Sequence, residues 1–247
     1  MQLGLLGKTL SHSFSKTYFE DKFEKENLAN HSYDLFELEK IEDFVDLLKQ
    51  NHDLSGLNVT IPYKESVIQF LDELDETATE IGAVNTIKFV QKGNKNILKG
   101  FNTDAVGFGL SIKPFLKNTH ERALILGTGG ASKAVDYRLR KLGIETLFVS
   151  RNPEENQISY KDINEYVMKF HKLVINTTPL GMSPNEDTFP DIPYKLLNDS
   201  HTLIDLVYNP ERTQFLTKGK QEGTEILNGM SMLHNQANES WKIWTGR

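Results

Sequence analysis

The sequence predicts an α/β fold of two α/β domains, and three observations support this prediction. Short apolar segments alternate with segments of helical spacing along the chain. The N-terminal part contains a hairpin signal and so favours a mixed sheet, whereas the part after Arg122 has continuous apolar runs typical of buried parallel strands. A chain of 247 residues is long enough for one large domain or two of ordinary size.

Composition narrows the classes of function. The net charge of −6 and the lack of a local Lys/Arg cluster argue against a nucleic-acid-binding protein. Because cysteine is absent, disulfides and thiolate chemistry are excluded, which fits a reducing compartment. The N-terminus lacks a signal-peptide pattern, and no apolar run approaches the roughly 20 residues that span a bilayer. We therefore expect a cytoplasmic protein without nucleic-acid or membrane partners, and the composition leaves both a monomer and a homodimer open.

In the N-terminal part, apolar spacing predicts strands and helices in β-α-β-α-β order, with the helices as crossovers. The predicted strands cover residues 3–6, 33–38 and 56–61, and the helices run from the first polar loop to about residue 28 and over 41–48. The acidic segment 72–78 is expected to be a solvated helix start. Two further strands, over 83–90 and 97–101, flank the turn signal Lys92-Gly93-Asn94.

The strongest candidate for a catalytic segment is residues 58–64, Asn-Val-Thr-Ile-Pro-Tyr-Lys. Val59 and Ile61 suggest a strand end, and Pro62 suits the first position of a helix over 65–71. Lys64 would then lie in the first turn, where the helix macrodipole disfavours a cation by roughly 0.3–1 kcal/mol. Such a lysine would release its proton more readily than a free one, although an ordinary surface lysine is the alternative.

Other polar residues near predicted helix starts have two interpretations. Ser13 and Ser15 are either helix caps or ligands for an anion, and Asp104 is either a cap or a catalytic carboxylate. His12 has no second ligand at helical or turn spacing, so no metal site is predicted.

A glycine-rich turn follows the apolar strand over residues 123–126. The turn Gly127-Thr128-Gly129-Gly130-Ala131-Ser132 precedes a helix to Leu142 and a strand over 144–149, which is the order of a dinucleotide-binding unit. Backbone N–H groups of residues 127–131 would approach the pyrophosphate at the helix start. Ser132 stands where the usual pattern has its third glycine, so the turn is a variant.

The residues after the next strand distinguish NADP from NAD. NAD sites place an Asp or Glu about 20 residues beyond the glycines, where this chain has Ser150-Arg151-Asn152. A guanidinium without a carboxylate suits the 2′-phosphate of NADP. Glu154 and Glu155 follow closely, so NAD remains the alternative.

Strands and helices continue to alternate up to a long terminal helix. Strands are predicted over 173–176, 203–207 and 225–227, and helices over 166–170, 214–220 and 230–244. The helical spacing of Trp241 and Trp244 makes both core residues.

Together these segments resemble the shikimate dehydrogenase family, nearly from end to end. The shared segments are Ser13-Phe14-Ser15, residues 58–64, Gly82-Ala83-Val84-Asn85-Thr86, Gly100-Phe101-Asn102-Thr103-Asp104, residues 127–132, Ser150-Arg151, residues 176–182, residues 205–210, and Asn228-Gly229-Met230 with Gln236 close behind. Departures are Ala105 for a usual glycine, Ser150 for Asn, Asn152 for Thr, and Glu154 or Glu155 for a second basic residue.

The resemblance implies reversible NADP-linked reduction of 3-dehydroshikimate to shikimate, a step toward chorismate and the aromatic amino acids. It implies Lys64 as proton donor or acceptor, paired with Asp104. It also implies substrate residues Ser13, Ser15, Thr60, Asn85, Asp104, Tyr208 and Gln236. On the cofactor side it implies Leu206 and Gly229 besides Gly127, Thr128, Gly129, Gly130, Ala131, Ser150 and Arg151.

The expected organisation is a substrate domain of residues 1–103 plus 230–247 and a Rossmann-like NADP domain of residues 104–229. Two alternatives remain. One is an NAD-using quinate/shikimate dehydrogenase of the same family. The other is a non-catalytic ligand-sensing protein of the same fold, against which the intact Lys64 and Asp104 argue.

Overall fold

The computed structural model describes residues 1–10, 13–93 and 95–246. The chain divides into two compact units, Met1–Thr103 with Ala237–Arg247, and Asp104–Gln236. Each unit contains its own sheet with helices, so the α/β class is confirmed. The second break between the units lies inside the last helix rather than at its start.

In the first unit, the described strands form a sheet of six, in the order β2-β1-β3-β5-β6-β4. β1 pairs in parallel with β2 and β3, while β5 is antiparallel to β3 and β6, so the predicted mixed sheet is confirmed. The elements are β1 Gln2–Gly7, α1 Phe14–Lys25, β2 Ser32–Glu37, α2 Phe44–Gln50, β3 Leu54–Val59, β4 Glu73–Leu74, α3 Glu76–Ile81, β5 Thr86–Lys92 and β6 Lys95–Phe101. Asp75 caps α3 by accepting from Ala78 N at 2.8 Å, which confirms a helix start in the acidic segment.

The α-helix predicted over 65–71 is wrong. Residues 61–65 form turns, and a 3₁₀ helix follows over Ser66–Phe70. The Lys64 carbonyl accepts a hydrogen bond from Val84 N at 2.7 Å, a partner outside the helical segment. Pro62 therefore lies in a turn, and the macrodipole argument for easier proton release by Lys64 loses its basis.

Two apolar clusters cover the two faces of this sheet. One includes Phe44, Leu57 and Val67, and the other packs Phe19 and Trp244 with residues of β1. Trp244 is buried and Trp241 partly buried in the second cluster, so the prediction that both tryptophans belong to the core is confirmed.

In the second unit, six described strands form a sheet in which every pairing is parallel, in the order β12-β11-β10-β7-β8-β9. The elements are α4 Asp104–Ile112, β7 Arg122–Leu126, α5 Gly130–Lys141, β8 Glu145–Ser150, β9 Gln157–Ser159, α6 Glu165–Phe170, β10 Leu173–Asn176, β11 Thr202–Asp205, α7 Gln214–Gln221, β12 Glu225–Leu227 and α8 Met230–Thr245. The short edge strand β9 was not predicted, because Ile158 is the one apolar residue in it and a single apolar residue shows no periodicity.

Two predicted features fall on residues that are not described. His12, in the serine loop, and Asn94, in the hairpin turn, lie outside the described residues. The strands on both sides of that turn, β5 and β6, pair antiparallel as a hairpin requires. Within residues 1–10, 13–93 and 95–246, no helix has both the length and the apolar character needed to cross a bilayer.

Candidate active site

A buried network of hydrogen bonds in the first unit is centred on Asn58, near the end of β3. We call it the Asn58 cluster, and its members are Tyr33, Asn58, Asn85, Thr86, Thr103 and Ser240. The Asn58 amide nitrogen lies 3.0 Å from Ser240 Oγ, 3.1 Å from Thr86 Oγ1 and 3.2 Å from the Asn85 carbonyl oxygen. The amide therefore ties β3, the start of β5 and α8 together.

Tyr33 extends the cluster toward the predicted serine loop. Its hydroxyl donates to Asn58 Oδ1 at 2.8 Å, and the Ser15 side chain hydrogen-bonds to the Tyr33 oxygen. Burial raises the pKa of Tyr33 well above its ordinary value, and the hydrogen bond with Ser15 opposes this only in part. Tyr33 is thus a neutral donor that links a predicted substrate serine to Asn58.

Asn85, a predicted substrate residue, is held by Thr103. Thr103 N donates to Asn85 Oδ1 at 2.7 Å, and Asn85 Nδ2 donates to Thr103 Oγ1 at 2.9 Å. Asn85 is 3% exposed, and this pair of bonds fixes which way its amide points. The cluster therefore joins Ser15 and Asn85, residues that lie far apart in sequence.

The backbone of residues 60–64 is fixed from three sides. Thr60 N donates to Leu6 O at 2.8 Å, the Tyr63 hydroxyl donates to Leu38 O at 2.5 Å, and Val84 N donates to Lys64 O at 2.7 Å. Lys64 is half-buried, and its backbone lies beside the residue that precedes Asn85. These contacts bring the predicted residues Thr60, Lys64 and Asn85 to one region of the first unit.

Ser13 occupies the N-cap position of α1, as one interpretation expected, but its side chain makes no cap hydrogen bond. Its hydroxyl oxygen is buried without a hydrogen-bond partner among the described residues. Buried polar atoms are nearly always paired, so the unpaired hydroxyl fits the interpretation of Ser13 as a ligand-binding residue.

In the second unit, Asp104 is the first residue of α4 and is 5% exposed. One turn later, a Cβ on Gly107 would lie 2.8 Å from Met232 O and 2.9 Å from Gln236 N. Helices α4 and α8 can approach so closely here only because residue 107 is glycine. Asp104 and Gln236 are therefore brought to neighbouring turns of two packed helices.

The glycine turn lies between β7 and α5, as predicted. Gly127 has φ +105°, and a Cβ there would meet Thr177 Oγ1 and Thr178 Cγ2 at 3.0 Å. By contrast, a Cβ on Gly129 would meet no atom within 4 Å, and the Thr128–Gly129 turn is exposed above the first residues of α5. An open turn at the start of a helix of twelve residues fits a pyrophosphate group.

Arg151 follows β8 and is exposed. Ser150 Oγ and Asn152 form a local turn around it, with Asn152 N donating to Ser150 Oγ at 3.2 Å. No described residue forms an ion pair with Arg151, and this includes the nearby Glu154 and Glu155. The guanidinium is therefore available for a phosphate at the position where the sequence predicted it.

The ends of β10 and β11 share a second buried cluster, which we call the Asp205 cluster: Asn176, Asp205, Val207 and Thr213. Asp205 Oδ1 accepts from Asn176 Nδ2 and Val207 N, each at 3.0 Å, and Oδ2 accepts from Thr213 Oγ1 at 2.6 Å. Burial raises the pKa of Asp205 to about 6, and the hydrogen bonds partly oppose this shift.

This cluster lies beside three predicted site residues. Leu206 and Tyr208 flank Val207, and Gly229 N donates to Val207 O at 3.1 Å. The fold thus brings Leu206, Tyr208 and Gly229 together at the carboxyl ends of the parallel strands, where α/β sheets bind ligands.

Sequence reasoning did not single out Tyr33, Asn58, Ser240, Asn176 or Asp205 as parts of a site. Asn58, Asn176 and Asp205 stand inside the quoted motifs, which is the one signal that could have found them. Tyr33 and Ser240 carry no such signal, because their partners are distant in sequence.

Comparison with known proteins gives a consistent result. The family described as shikimate dehydrogenase substrate binding domain matches residues 5–87. Shikimate dehydrogenase (NADP(+)) of Staphylococcus aureus is 38% identical over 262 residues, which cover 100% of this chain and 93% of that protein.

Two solved structures illustrate the similarity in fold. Shikimate 5-dehydrogenase from Thermus thermophilus, in complex with NADP(H) and shikimate, matches with a TM-score of 0.87 and 30% identity, covering 100% of this chain and 94% of that one. Quinate dehydrogenase from Corynebacterium glutamicum, in complex with NAD, matches with a TM-score of 0.87 and 28% identity, with coverage of 100% and 94%. By its sequence and its fold, the chain belongs to the shikimate dehydrogenase family.

Proposed function

We propose that this protein catalyses the reversible NADP-linked reduction of 3-dehydroshikimate to shikimate, on the route to chorismate and the aromatic amino acids. The observation that carries the proposal is the match over 100% of the chain to an enzyme in complex with NADP(H) and shikimate. The cysteine-free composition fits a cytoplasmic location, and we expect a monomer or homodimer.

The residues of the second unit fit an NADP cofactor. The pyrophosphate would lie on the backbone of residues 127–131, and Arg151 with Ser150 would hold the 2′-phosphate. Leu206 and Gly229 would line the nicotinamide. When bound, the cofactor supplies or accepts the hydride.

A polyhydroxylated carboxylate needs many neutral hydrogen-bond partners and few charges. The unpaired hydroxyl of Ser13 supports such a site, and so does the fixed amide of Asn85. The proposed substrate residues are Ser13, Ser15, Thr60, Asn85, Asp104, Tyr208 and Gln236. Residues 1–103 plus 230–247 would form the substrate domain, and residues 104–229 the NADP domain.

Lys64 and Asp104 are the proposed catalytic pair. Reduction of a ketone places negative charge on its oxygen, and the ammonium group of Lys64 would both stabilise this charge and supply the proton. Asp104 would hold the lysine and accept a hydrogen bond from a substrate hydroxyl. In the reverse direction Lys64 would take up the proton.

One alternative has a specific observation in its favour. The quinate dehydrogenase in complex with NAD has nearly the same fold, and Glu154 and Glu155 follow Arg151 here. An NAD-using quinate/shikimate dehydrogenase would therefore also suit this chain.

An initial-rate assay that crosses shikimate and quinate with NADP⁺ and NAD⁺ tests both possibilities. We expect the highest kcat/KM for shikimate with NADP⁺. A preference for NAD⁺ or for quinate would favour the alternative, and no activity with any combination would favour a non-catalytic ligand-sensing protein.

A further inference from the structure

Asp205 differs from the buried Asp136 in the partners of its carboxylate. Asp136 is also buried, but it pairs with Arg140. Asp205 is 0% exposed and forms no ion pair with any described residue; its partners are an amide, a backbone N–H and a hydroxyl. Burying a carboxylate without a cation is unfavourable for folding, so its presence calls for another reason.

The first consequence of this arrangement is the orientation of Asn176. Asn176 and Asp205 are register partners at the ends of parallel strands. An ionised carboxylate only accepts hydrogen bonds, so it faces Asn176 Nδ2 and turns Asn176 Oδ1 the other way. That oxygen accepts from Thr178 N at 3.1 Å and from Thr178 Oγ1 at 2.6 Å.

The second consequence concerns the glycine turn. Thr177, beside Thr178, donates through its hydroxyl to Leu126 O at 2.7 Å, directly before Gly127. Both threonines fill the space where a Cβ on Gly127 would stand. The loop ordered by Asn176 is therefore in direct contact with the turn proposed to hold the pyrophosphate.

The third consequence concerns the loop after β11. Val207 N donates to the same carboxylate oxygen that accepts from Asn176. This bond fixes the path between Leu206 and Tyr208, and Val207 O in turn accepts from Gly229 N. One oxygen atom thus sets two loops that both carry or contact proposed cofactor residues.

We propose that Asp205 is a positioning residue for the dinucleotide, because its Oδ1 atom holds the loops after β10 and β11 against the glycine turn. The inference rests on the proposed use of NADP. What it adds is that the acceptor atom of Asp205, and not its charge, sets cofactor affinity.

The test compares Asp205→Ala, which removes the acceptor, with Asp205→Asn, which keeps an oxygen toward Asn176 and Val207 and removes the charge. The dissociation constant of NADP⁺ alone is measured by titration calorimetry, together with the KM values for NADP⁺ and shikimate. We expect Asp205→Ala to weaken NADP⁺ binding at least about tenfold, the scale of leaving one buried hydrogen-bond donor unsatisfied. Asp205→Asn should stay within about threefold of the wild type, since its acceptor remains.

Thr213→Val is the matched control. It removes the bond to Oδ2 and the cap of α7 but keeps both bonds to Oδ1 and a side chain of similar shape, so it should lower the melting temperature and leave the NADP⁺ dissociation constant unchanged. If Asp205→Ala does not fold, Asn176→Ala breaks the same connection from the other strand and should weaken NADP⁺ binding in the same way.

The outcomes separate the two proposals. A wild type that neither binds NADP⁺ nor turns over shikimate contradicts the proposed function. A wild type that does both, with unchanged NADP⁺ binding in folded Asp205→Ala or Asn176→Ala, overturns the positioning role. Equal weakening in Asp205→Asn or in Thr213→Val overturns it as well.

Discussion

Asn58 in the first unit and Asp205 in the second occupy comparable places, near the carboxyl end of a buried strand and at the centre of a polar cluster. Asn58 both donates and accepts, so its cluster is satisfied by neutral groups from three separate segments. Asp205 only accepts, and its three donors surround a group that is charged at neutral pH. The neutral cluster adjoins residues that are proposed to bind the uncharged hydroxyl groups of the substrate. The charged cluster adjoins residues that are proposed to bind the dinucleotide.

The difference has a thermodynamic side. A neutral hub holds its geometry at any ordinary pH, while a buried carboxylate links stability to protonation. Substitutions that remove the proposed proton donor, or that exchange an amide for a carboxylate or the reverse, test this contrast.

Lys64→Ala tests whether proton transfer depends on Lys64, in the segment 60–64 whose backbone the first unit fixes by hydrogen bonds. Loss of a positioned proton donor should lower kcat by at least about 100-fold, with a much smaller change in KM. Steady-state kinetics with shikimate and NADP⁺ measure this. Lys40→Ala, at an exposed lysine that pairs with Asp43 at 3.6 Å, is the control and should keep wild-type kcat. A normal kcat with a raised KM would make Lys64 a binding residue.

Asn58→Asp places a buried carboxylate at the centre of the neutral cluster. The new carboxylate cannot donate to the Asn85 carbonyl, Thr86 or Ser240, and it is buried. We expect the free energy of unfolding to fall by about 2–3 kcal/mol near pH 7.5 and by less near pH 5, where a buried carboxyl group takes up a proton. Urea unfolding at both pH values measures this, with Asn118→Asp at an exposed asparagine as the control. A loss that does not depend on pH would contradict the comparison.

Asp205→Asn makes the opposite exchange. The folded protein binds a proton at Asp205 with a pKa of about 6, against 3.8 for an ordinary aspartate, so this group stabilises the fold increasingly as the pH falls through 6. Between about pH 7.5 and about pH 5 the wild type should gain about 1.4 kcal/mol from this group, a gain that Asp205→Asn lacks. The measurement is the difference between wild-type and variant unfolding free energies at the two pH values. A difference that stays constant with pH would show that Asp205 titrates as an ordinary aspartate.

Local patterns predicted most of the elements, because periodicity and turn residues act within a few positions. The apolar run before Gly127, the strand over 173–176 and the glycine turn were all found in this way. Lys64 was placed on an α-helix for a local reason, Pro62, but the Lys64 carbonyl is bonded to Val84, twenty residues away. The Asn58–Ser240 bond spans 182 residues, and no local pattern can indicate such a partner. The sequence therefore predicted individual strands, helices and turns better than it predicted the long-range contacts that hold the candidate residues in place.

The division of α8 between the units bears on how the chain acquires its structure during synthesis. Residues 104–236 form one uninterrupted segment, so the second unit has all of its residues before Ala237 is translated. The first unit is still incomplete at that point. The side chains of Asn58, Thr86 and Thr103 hydrogen-bond to Ser240, and the indole of Trp244 donates to Ile87 O in β5 at 2.9 Å. Domains generally complete their folding in the order in which they leave the ribosome. Here the part translated first closes last, and Asn85, a residue proposed for the substrate, acquires its final surroundings only after Ser240 has been translated.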